Sequence, residues 1–157
     1  MPAKINKLNI FLSNLAVLNI KVHNLHWNVI GPEFMQIHKM TEDIYKMLQV
    51  QFDTVAETMK MQGKMPMATT AEYVKNATIK EIKSRDFQVY EVLEELDNDC
   101  GIIMDLAKEI RDEADENDNF QIANLFEDYL DIYSKQAWMI KAMLQEDVEG
   151  IEDDSDE

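Results

Sequence analysis

Three histidines lie within one short stretch of the chain, on either side of a Gly-Pro break. His23 and His26 precede Gly31-Pro32, and His38 follows it by six residues. If the break joins two antiparallel helices, His26 and His38 come to similar heights on neighbouring helices. Two imidazoles held in this way can bind a transition metal. The spacing therefore predicts a metal site at this hairpin.

Carboxylates on the second of these helices are candidates for further metal ligands. Glu42 follows His38 by four residues and Glu57 follows Asp53 by four, so each pair shares a helix face. The step from Glu42 to Asp53 is a rotation of about 1100°, which is about 20° past three full turns. Both pairs therefore lie on one side of the helix. The helical rise nevertheless separates His38 from Asp53 by about 22 Å, so one metal ion cannot contact both.

A second copy of the chain, packed antiparallel against this helix, would bring the two ends together. His38 of one chain would meet the partner's Asp53 and the partner's Glu57, with His26 beside it, and each pair of chains would form two identical sites. Imidazole with several carboxylates suits Fe(II) and Mn(II), with Zn(II) as a third candidate. Each residue alone would suit an ordinary surface position, and only their joint spacing favours a site.

The conventional di-metal site of four-helix bundles uses Glu-x-x-His motifs that face the bundle interior. The chain contains no such motif. We therefore expect the metal site at an interface between chains and not in the core of one bundle.

Four long helices are predicted to position these residues. Apolar side chains recur at spacings of three and four over residues 4–30, 32–62, 84–110 and 119–144. Gly63 suits a C-cap, and Ser84 and Asn119 suit N-caps. The run RDEADENDN, residues 111–119, interrupts the pattern and predicts a turn, whereas Trp138 has the spacing of a core residue. The predicted apolar stripes are Leu8, Phe11, Leu15, Leu18, Val22 and Leu25; Phe34, Ile37, Met40 or Thr41, Ile44, Met47 or Leu48, Phe52 and Val55; Val89, Leu93, Leu96, Cys100, Ile103, Ala107 and Ile110; and Ala123, Phe126, Leu130, Tyr133, Ala137, Ile140 and Leu144.

A longer connection, residues 63–83, separates the second helix from the third. It contains one predicted short helix, residues 71–76, with Thr69 or Thr70 as its N-cap. A connection of this length predicts a crossover. The expected fold is therefore all-α, a four-helix bundle of the ferritin-like plan with a short extra helix between helices two and three. Residues 1–148 are expected to form this one domain, and residues 149–157 an acidic, disordered tail.

Composition limits the classes of function. The net charge is -16, from 31 acidic and 15 basic residues, which opposes binding to nucleic acid and to anionic membranes and attracts cations. The single cysteine, Cys100, excludes an intramolecular disulfide and suits a reducing compartment. The N-terminal segment lacks the apolar core of a signal peptide, and no apolar run is long enough to span a bilayer. We therefore expect a cytoplasmic protein.

The stretch KVHNLHWNVIGPEFMQIHKMTEDIYKMLQVQFDTVAE, residues 21–57, resembles the central motif of the Dps-like miniferritins. The later AWMIKAML, residues 137–144, resembles the last helix of that family. The resemblance implies a hollow dodecamer, built from two-fold dimers, that oxidises Fe(II) with hydrogen peroxide and stores the ferric iron. It also implies that His26, His38, Asp53 and Glu57 are the catalytic metal ligands. Glu42 stands where the family usually has aspartate, and it is expected as an additional metal ligand.

The expected function is therefore a ferroxidase and iron-storage protein that protects against oxidative damage. Two alternatives remain open at this stage. A DNA-compacting stress protein would usually carry a lysine-rich extension, but the N-terminal segment offers only Lys4 and Lys7, and the C-terminal one is acidic. A helical scaffold with a vestigial metal site would keep the same apolar stripes without any iron chemistry.

Overall fold

The structure, a computed structural model, describes residues 6–145 and contains four long helices, one short helix and two very short strands. The all-α class is confirmed, with the short helix in the crossover. The predicted tail, residues 149–157, lies outside the described residues. The elements are α1 (Lys7–Asn28), β1 (Val29–Ile30), α2 (Phe34–Met61), α3 (Thr70–Asn76), β2 (Phe87–Gln88), α4 (Val89–Glu116) and α5 (Phe120–Leu144).

The turn between α1 and α2 produces the predicted antiparallel hairpin, but with different helix ends. α1 ends at Asn28 and not at Ile30, because β1 is extended and pairs in parallel with β2. Gly31 has a φ of 116°, which residues with a Cβ rarely adopt. α2 begins at Phe34 and not at Pro32. The short extended turn therefore holds the two helices side by side at the level of the histidines.

The start of α4 was predicted wrongly. α4 begins at Val89, whereas Ser84 is exposed and lies in the crossover. The pairing of β2 with β1 keeps the residues before Val89 extended. Gln88 is the N-cap, and its backbone N–H donates to the Glu91 carboxylate at 2.8 Å. The pairing is a non-local contact, which helical periodicity cannot reveal.

The acidic stretch before α5 is helical, contrary to the predicted turn. α4 continues to Glu116, and only residues 117–119 form the link. The backbone N–H of Asn119 donates to the Ala114 carbonyl at 2.8 Å, and Asp118 has a φ of 55°, which together form a Schellman-type end. Asn119 then caps α5 through its side chain, as predicted. Arg111 donates to Glu127 at 2.8 Å and joins the acidic end of α4 to α5.

The predicted apolar stripes meet in one core between the four long helices. Trp138 is an exception, because 68% of it is exposed on the outer face of α5. Trp138 lies about 160° around the helix from the buried Ile140. The prediction that its spacing places it in the core was therefore wrong. Within residues 6–145, no helix is both long and apolar enough to cross a lipid bilayer.

A fully buried side chain of α1, that of Asn14, binds the backbone of the crossover. α3 has the predicted Thr69 cap, which exchanges hydrogen bonds with Glu72. The Asn14 amide oxygen then accepts hydrogen bonds from the backbone N–H groups of Thr78 at 2.7 Å and Ile79 at 3.1 Å. Asn14 is fully buried, so no water can replace these contacts.

We expect Asn14→Ala to lower the free energy of unfolding by about 2 kcal/mol, because it leaves the buried N–H group of Ile79 and the more accessible N–H group of Thr78 without their acceptor. Chemical denaturation followed by circular dichroism, at matched protein concentration, measures this change. Asn124→Ala is the control, since Asn124 is exposed on α5 and should change stability by less than about 0.5 kcal/mol. Equal effects of the two substitutions would contradict the anchoring role of Asn14.

Candidate metal centre

His26 and His38 face each other across the α1–α2 hairpin. Their rings are stacked with centroids 3.8 Å apart and planes inclined by 14°. His26 is 5% exposed, whereas His38 is partly exposed. The structure therefore brings together the two imidazoles that the sequence places symmetrically around Gly31-Pro32.

Reciprocal hydrogen bonds hold both rings in one tautomer. His26 Nδ1 lies 2.8 Å from the His38 carbonyl oxygen, and His38 Nδ1 lies 2.9 Å from the His26 carbonyl oxygen. A carbonyl oxygen can only accept, so each Nδ1 carries the proton and donates it. Each Nε2 therefore keeps a free lone pair, which is the state in which histidine binds a metal.

Thr41 supports this arrangement and was not predicted as part of the site. Its hydroxyl oxygen lies 3.0 Å from His26 Nδ1 and donates to the Ile37 carbonyl at 2.8 Å. By spacing, Thr41 belongs to the apolar stripe of α2, which made a packing role the expected one. Its position three residues after His38 was the available signal, because residues three apart share a helix face.

Burial lowers the pKa of His26 below its usual value, and the hydrogen bond to the His38 carbonyl and the negative charge of Glu42 oppose that shift. A lowered pKa keeps the ring neutral at more acidic pH than usual, and the neutral ring is the metal ligand. The structure itself brings His26 and His38 together, and the half-buried Glu42 lies one helical turn from His38.

Asp53 and Glu57 lie far from this group within one chain. Both are exposed on α2, which is unbroken from Phe34 to Met61. Asp53 is therefore about 22 Å from His38 along the helix axis, and Glu57 is about 28 Å away. Within residues 6–145, no three His, Cys, Asp or Glu side chains converge in the geometry of a metal site. One chain alone provides only part of the predicted ligand set.

These separated groups nevertheless share one outward face of α2. Residues within about 60° of Asp53 around the helix are partly or fully exposed, whereas the opposite face is buried in the core. The exposed face also carries Val50, which is 67% exposed and is a costly group to leave in water. Its other members are Met35, His38, Lys39, Glu42, Lys46, Gln49, Asp53, Ala56, Glu57 and Lys60.

His23 lies beside the histidine pair. Its Nδ1 donates to the Asn19 carbonyl at 2.7 Å, and its ring stacks on Tyr45 with centroids 3.9 Å apart. Tyr45 in turn meets His26 edge-on at 5.2 Å. His23 thus packs around the pair through Tyr45.

In the part of the chain that the structure describes, the bundle interior holds an ion pair and no cluster of metal ligands. Lys21 Nζ lies 2.7 Å from Asp99 Oδ2 and 2.8 Å from Glu95 Oε2. The side chains of Lys21 and Asp99 are each only 2% exposed. The ammonium group occupies the polar centre of this bundle, which is consistent with a metal site outside the core.

Comparisons with known proteins agree with this architecture. Residues 5–148 match the model of the ferritin-like domain. A DNA protection during starvation protein (Dps) of Brevibacillus brevis is 34% identical over 138 residues, which cover 88% of this chain and 92% of that protein. The chain belongs to the Dps family of ferritin-like proteins. The resemblance of its central motif to Dps-like miniferritins is thereby confirmed.

Solved structures show the same fold. This Dps-family chain superposes on the crystal structure of Helicobacter cinaedi CAIP with a TM-score of 0.87 and 33% identity, over 88% of this chain and 97% of that one. It superposes on Dps from Vibrio cholerae with a TM-score of 0.86 and 30% identity, over 89% and 87% of the two chains. The Vibrio protein is described as a member of a broad superfamily of ferritin-like diiron-carboxylate proteins. The predicted ferritin-like bundle is therefore confirmed for this Dps-family chain.

Proposed function

We propose that the protein oxidises Fe(II) at sites shared between two copies of the chain and stores the ferric product in a hollow assembly. Iron storage and protection against stress are the general functions of the family. The observation that carries the finer proposal is the His26–His38 pair. Its Nδ1 atoms are engaged by carbonyl groups, so both Nε2 lone pairs are available to a metal.

Two copies of α2, packed antiparallel, would complete this site. Pairing His38 with the partner's Asp53 and the partner's Glu57 places the two-fold axis within about one turn of Lys46. Glu42 then faces the same cluster of carboxylates. Each pair of chains forms two equivalent sites, because an isologous contact repeats every interaction.

An apolar groove beside α2 supports a contact with another chain. It has a volume of about 350 Å³ and lies between α1, α2 and α3, where it is lined in part by Ile20, Phe52, Tyr73 and Val74. Ile20 and Val74 are 63% and 64% exposed in the single chain. Covering them together with Val50 would remove apolar surface from water, which favours association. We propose a dodecamer built from such pairs, with the exposed face of α5 around Trp138 as a further contact.

The ligand types suit iron oxidation. Asp53, Glu57 and Glu42 provide hard anionic oxygens, which stabilise Fe(III) relative to Fe(II), while His26 and His38 fix the metal position. Hydrogen peroxide is the proposed oxidant. One peroxide accepts two electrons from two Fe(II) ions and two protons and is converted to two waters. Removing both reactants together would suppress hydroxyl-radical formation.

The surface charge favours this form of protection over direct coating of DNA. With a net charge of -16 the protein lacks the cationic surface that phosphate binding requires.

We place the protein in the cytoplasm. Its one thiol, Cys100, is buried, and burial raises the pKa of that thiol to about 11, so it stays protonated and unreactive.

Rapid mixing of Fe(II) and hydrogen peroxide with the assembled protein tests the proposal. We expect ferric absorbance to appear faster than in protein-free buffer and the product to remain soluble with the protein. The same experiment with dioxygen alone should give a slower reaction if peroxide is the preferred oxidant. A helical scaffold with a vestigial site would give the rate of buffer with either oxidant.

A further inference from the structure

Two lysines flank the carboxylate of Glu42 on the exposed face of α2. Lys39 Nζ lies 3.7 Å from Glu42 Oε2, and Lys46 Nζ lies 3.5 Å from Glu42 Oε1. Each carboxylate oxygen therefore faces its own ammonium group. Glu42 is 33% exposed, whereas the two lysine side chains are 64% and 60% exposed and approach it from the solvent side.

The two lysines differ in what else they contact. Lys39 also donates a hydrogen bond to Asp43, one turn further along α2. Within the part of the chain that the structure describes, Lys46 is ion-paired to Glu42 alone. Lys46 also lies at the centre of the α2 face, close to the proposed two-fold axis. Of the two, Lys46 is therefore the one whose charge acts mainly on the site.

In a shared site without metal, the carboxylates would repel one another, and the lysine ammonium groups would reduce that repulsion. Such a site would hold Glu42 with the partner's Asp53 and the partner's Glu57, and three like charges at close range repel one another. A lysine ammonium on a flexible stem reduces this repulsion without forming a rigid bond. A divalent ion bound directly by the carboxylates would interact more strongly and displace it.

We infer that Lys46, assisted by Lys39, is a placeholder cation that occupies Glu42 in the metal-free site and must be displaced when a divalent cation binds. The inference rests on the proposed intersubunit site and deepens it. The ion pair lowers the affinity of the site for metal ions, because each ion that binds must displace Lys46 from Glu42. It also selects against divalent ions that bind carboxylates weakly.

Co(II), which is not oxidised under the conditions used, separates metal binding from iron oxidation. We expect Lys46→Gln to bind Co(II) roughly three- to tenfold more tightly than the wild type, since one unit of positive charge is removed beside a divalent ion. Lys46→Arg keeps the charge and should stay within about twofold of the wild type. High salt should narrow the difference between wild type and Lys46→Gln, because it screens exposed charges.

Lys108→Gln is the matched control. It removes the same charge from an exposed position on α4, and Lys108 has no ion pair within residues 6–145, so the affinity for Co(II) should be unchanged. Equal or weaker Co(II) binding by Lys46→Gln would overturn the placeholder role alone, provided that the wild type binds Co(II) and His38→Ala does not. If the wild type shows no His38-dependent binding, the intersubunit site and this inference both fall.

Discussion

His38→Ala is expected to abolish the fast oxidation of Fe(II) and to weaken Co(II) binding by more than about 100-fold. The loss of even an outer hydrogen-bond partner of a metal ligand typically costs 10–100-fold in affinity, so the loss of a ligand should cost more. Stopped-flow absorbance with Fe(II) and peroxide measures the rate, and titration with Co(II) measures the affinity.

His23→Ala is the matched control for this substitution. His23 lies on the same hairpin and packs on Tyr45 with centroids 3.9 Å apart, but its Nδ1 is engaged by the Asn19 carbonyl and no metal role is proposed for it. The rate of Fe(II) oxidation by His23→Ala should stay within a few-fold of the wild-type rate. Equal losses in the two variants would show that general packing of the hairpin, and not metal binding by His38, controls the rate.

Mixing two inactive variants tests whether the site is shared. His38→Ala lacks one end of the ligand set, and the double variant Asp53→Asn/Glu57→Gln lacks the other. If equal amounts assemble at random, half of the pairs are mixed, and each mixed pair contains one intact site and one fully defective site. The mixture should therefore recover about a quarter of the wild-type activity, as expected for two sites in an isologous pair.

The result of mixing distinguishes the two arrangements without any structure of the complex. A site built within one chain would remain defective in every mixed pair, so the mixture would stay as inactive as its components. Size-exclusion chromatography and exchange of labelled subunits establish that mixed pairs have formed. Persistent inactivity in such pairs would overturn the intersubunit arrangement.

Periodicity predicted the bundle well because each long helix carries one continuous apolar stripe. It failed at positions decided by contacts between distant parts of the chain. The pairing of β1 with β2 shortens α1 and delays α4 to Val89, and neither strand has a pattern of its own. The acidic end of α4 looked like a turn, but the buried Ala114 and the contact of Arg111 with Glu127 hold it in the helix.

The candidate site was predictable where it depended on helix geometry alone. Symmetrical spacing around the turn was sufficient to place His26 beside His38, and the rise of α2 was sufficient to separate Asp53 from both. The tautomer was not predictable, because it depends on which carbonyl groups meet the two rings and on the Thr41 hydroxyl. The meeting of the histidine pair with the partner's Asp53 stays a prediction.

The interior ion pair was also not predicted, although the positions of Lys21 and Asp99 in the sequence indicate it. Lys21 lies three residues after Leu18, on the buried side of α1, and Asp99 lies three residues after Leu96, on the buried side of α4. A charged residue on the apolar stripe of each of two helices suggests that the two meet. Most lysines and aspartates are exposed, so no prediction was made for either residue.

Lys21→Met is expected to produce the largest loss of stability among substitutions outside the metal site. It leaves the Asp99 carboxylate buried without its counter-ion, which typically costs about 3–5 kcal/mol. Neither Asp99 oxygen has a hydrogen-bond partner of good geometry within residues 6–145, so Lys21 is its main support. Thermal unfolding at matched protein concentration should show a melting temperature lower by about 10 °C.

The sign of the pH dependence follows from the pKa of Asp99. Burial already raises that pKa above its usual value, and the Lys21 ammonium opposes the rise. Removing Lys21 raises the pKa further, so the folded state binds a proton more readily than the unfolded state. Stability is then lost as pH rises from the unfolded pKa through the folded pKa. The loss of unfolding free energy caused by Lys21→Met, relative to the wild type, should therefore be smaller at pH 5 than at pH 7.

Replacing Lys21 and Asp99 together leaves only the more exposed Glu95 without Lys21, and so separates the cost of a buried unpaired charge from the value of the buried pair. Burial raises the pKa of Asp99 in spite of the Lys21 ammonium, and a buried ion pair typically contributes little net stability compared with apolar groups of similar size. Valine is close in shape to aspartate, and a cavity of about 20 Å³ lies beside Asp99. Lys21→Met/Asp99→Val should therefore regain most of the stability that Lys21→Met loses. A double variant as unstable as the single one would mean that the ion pair itself, and not the removal of one partner, determines the stability of this core.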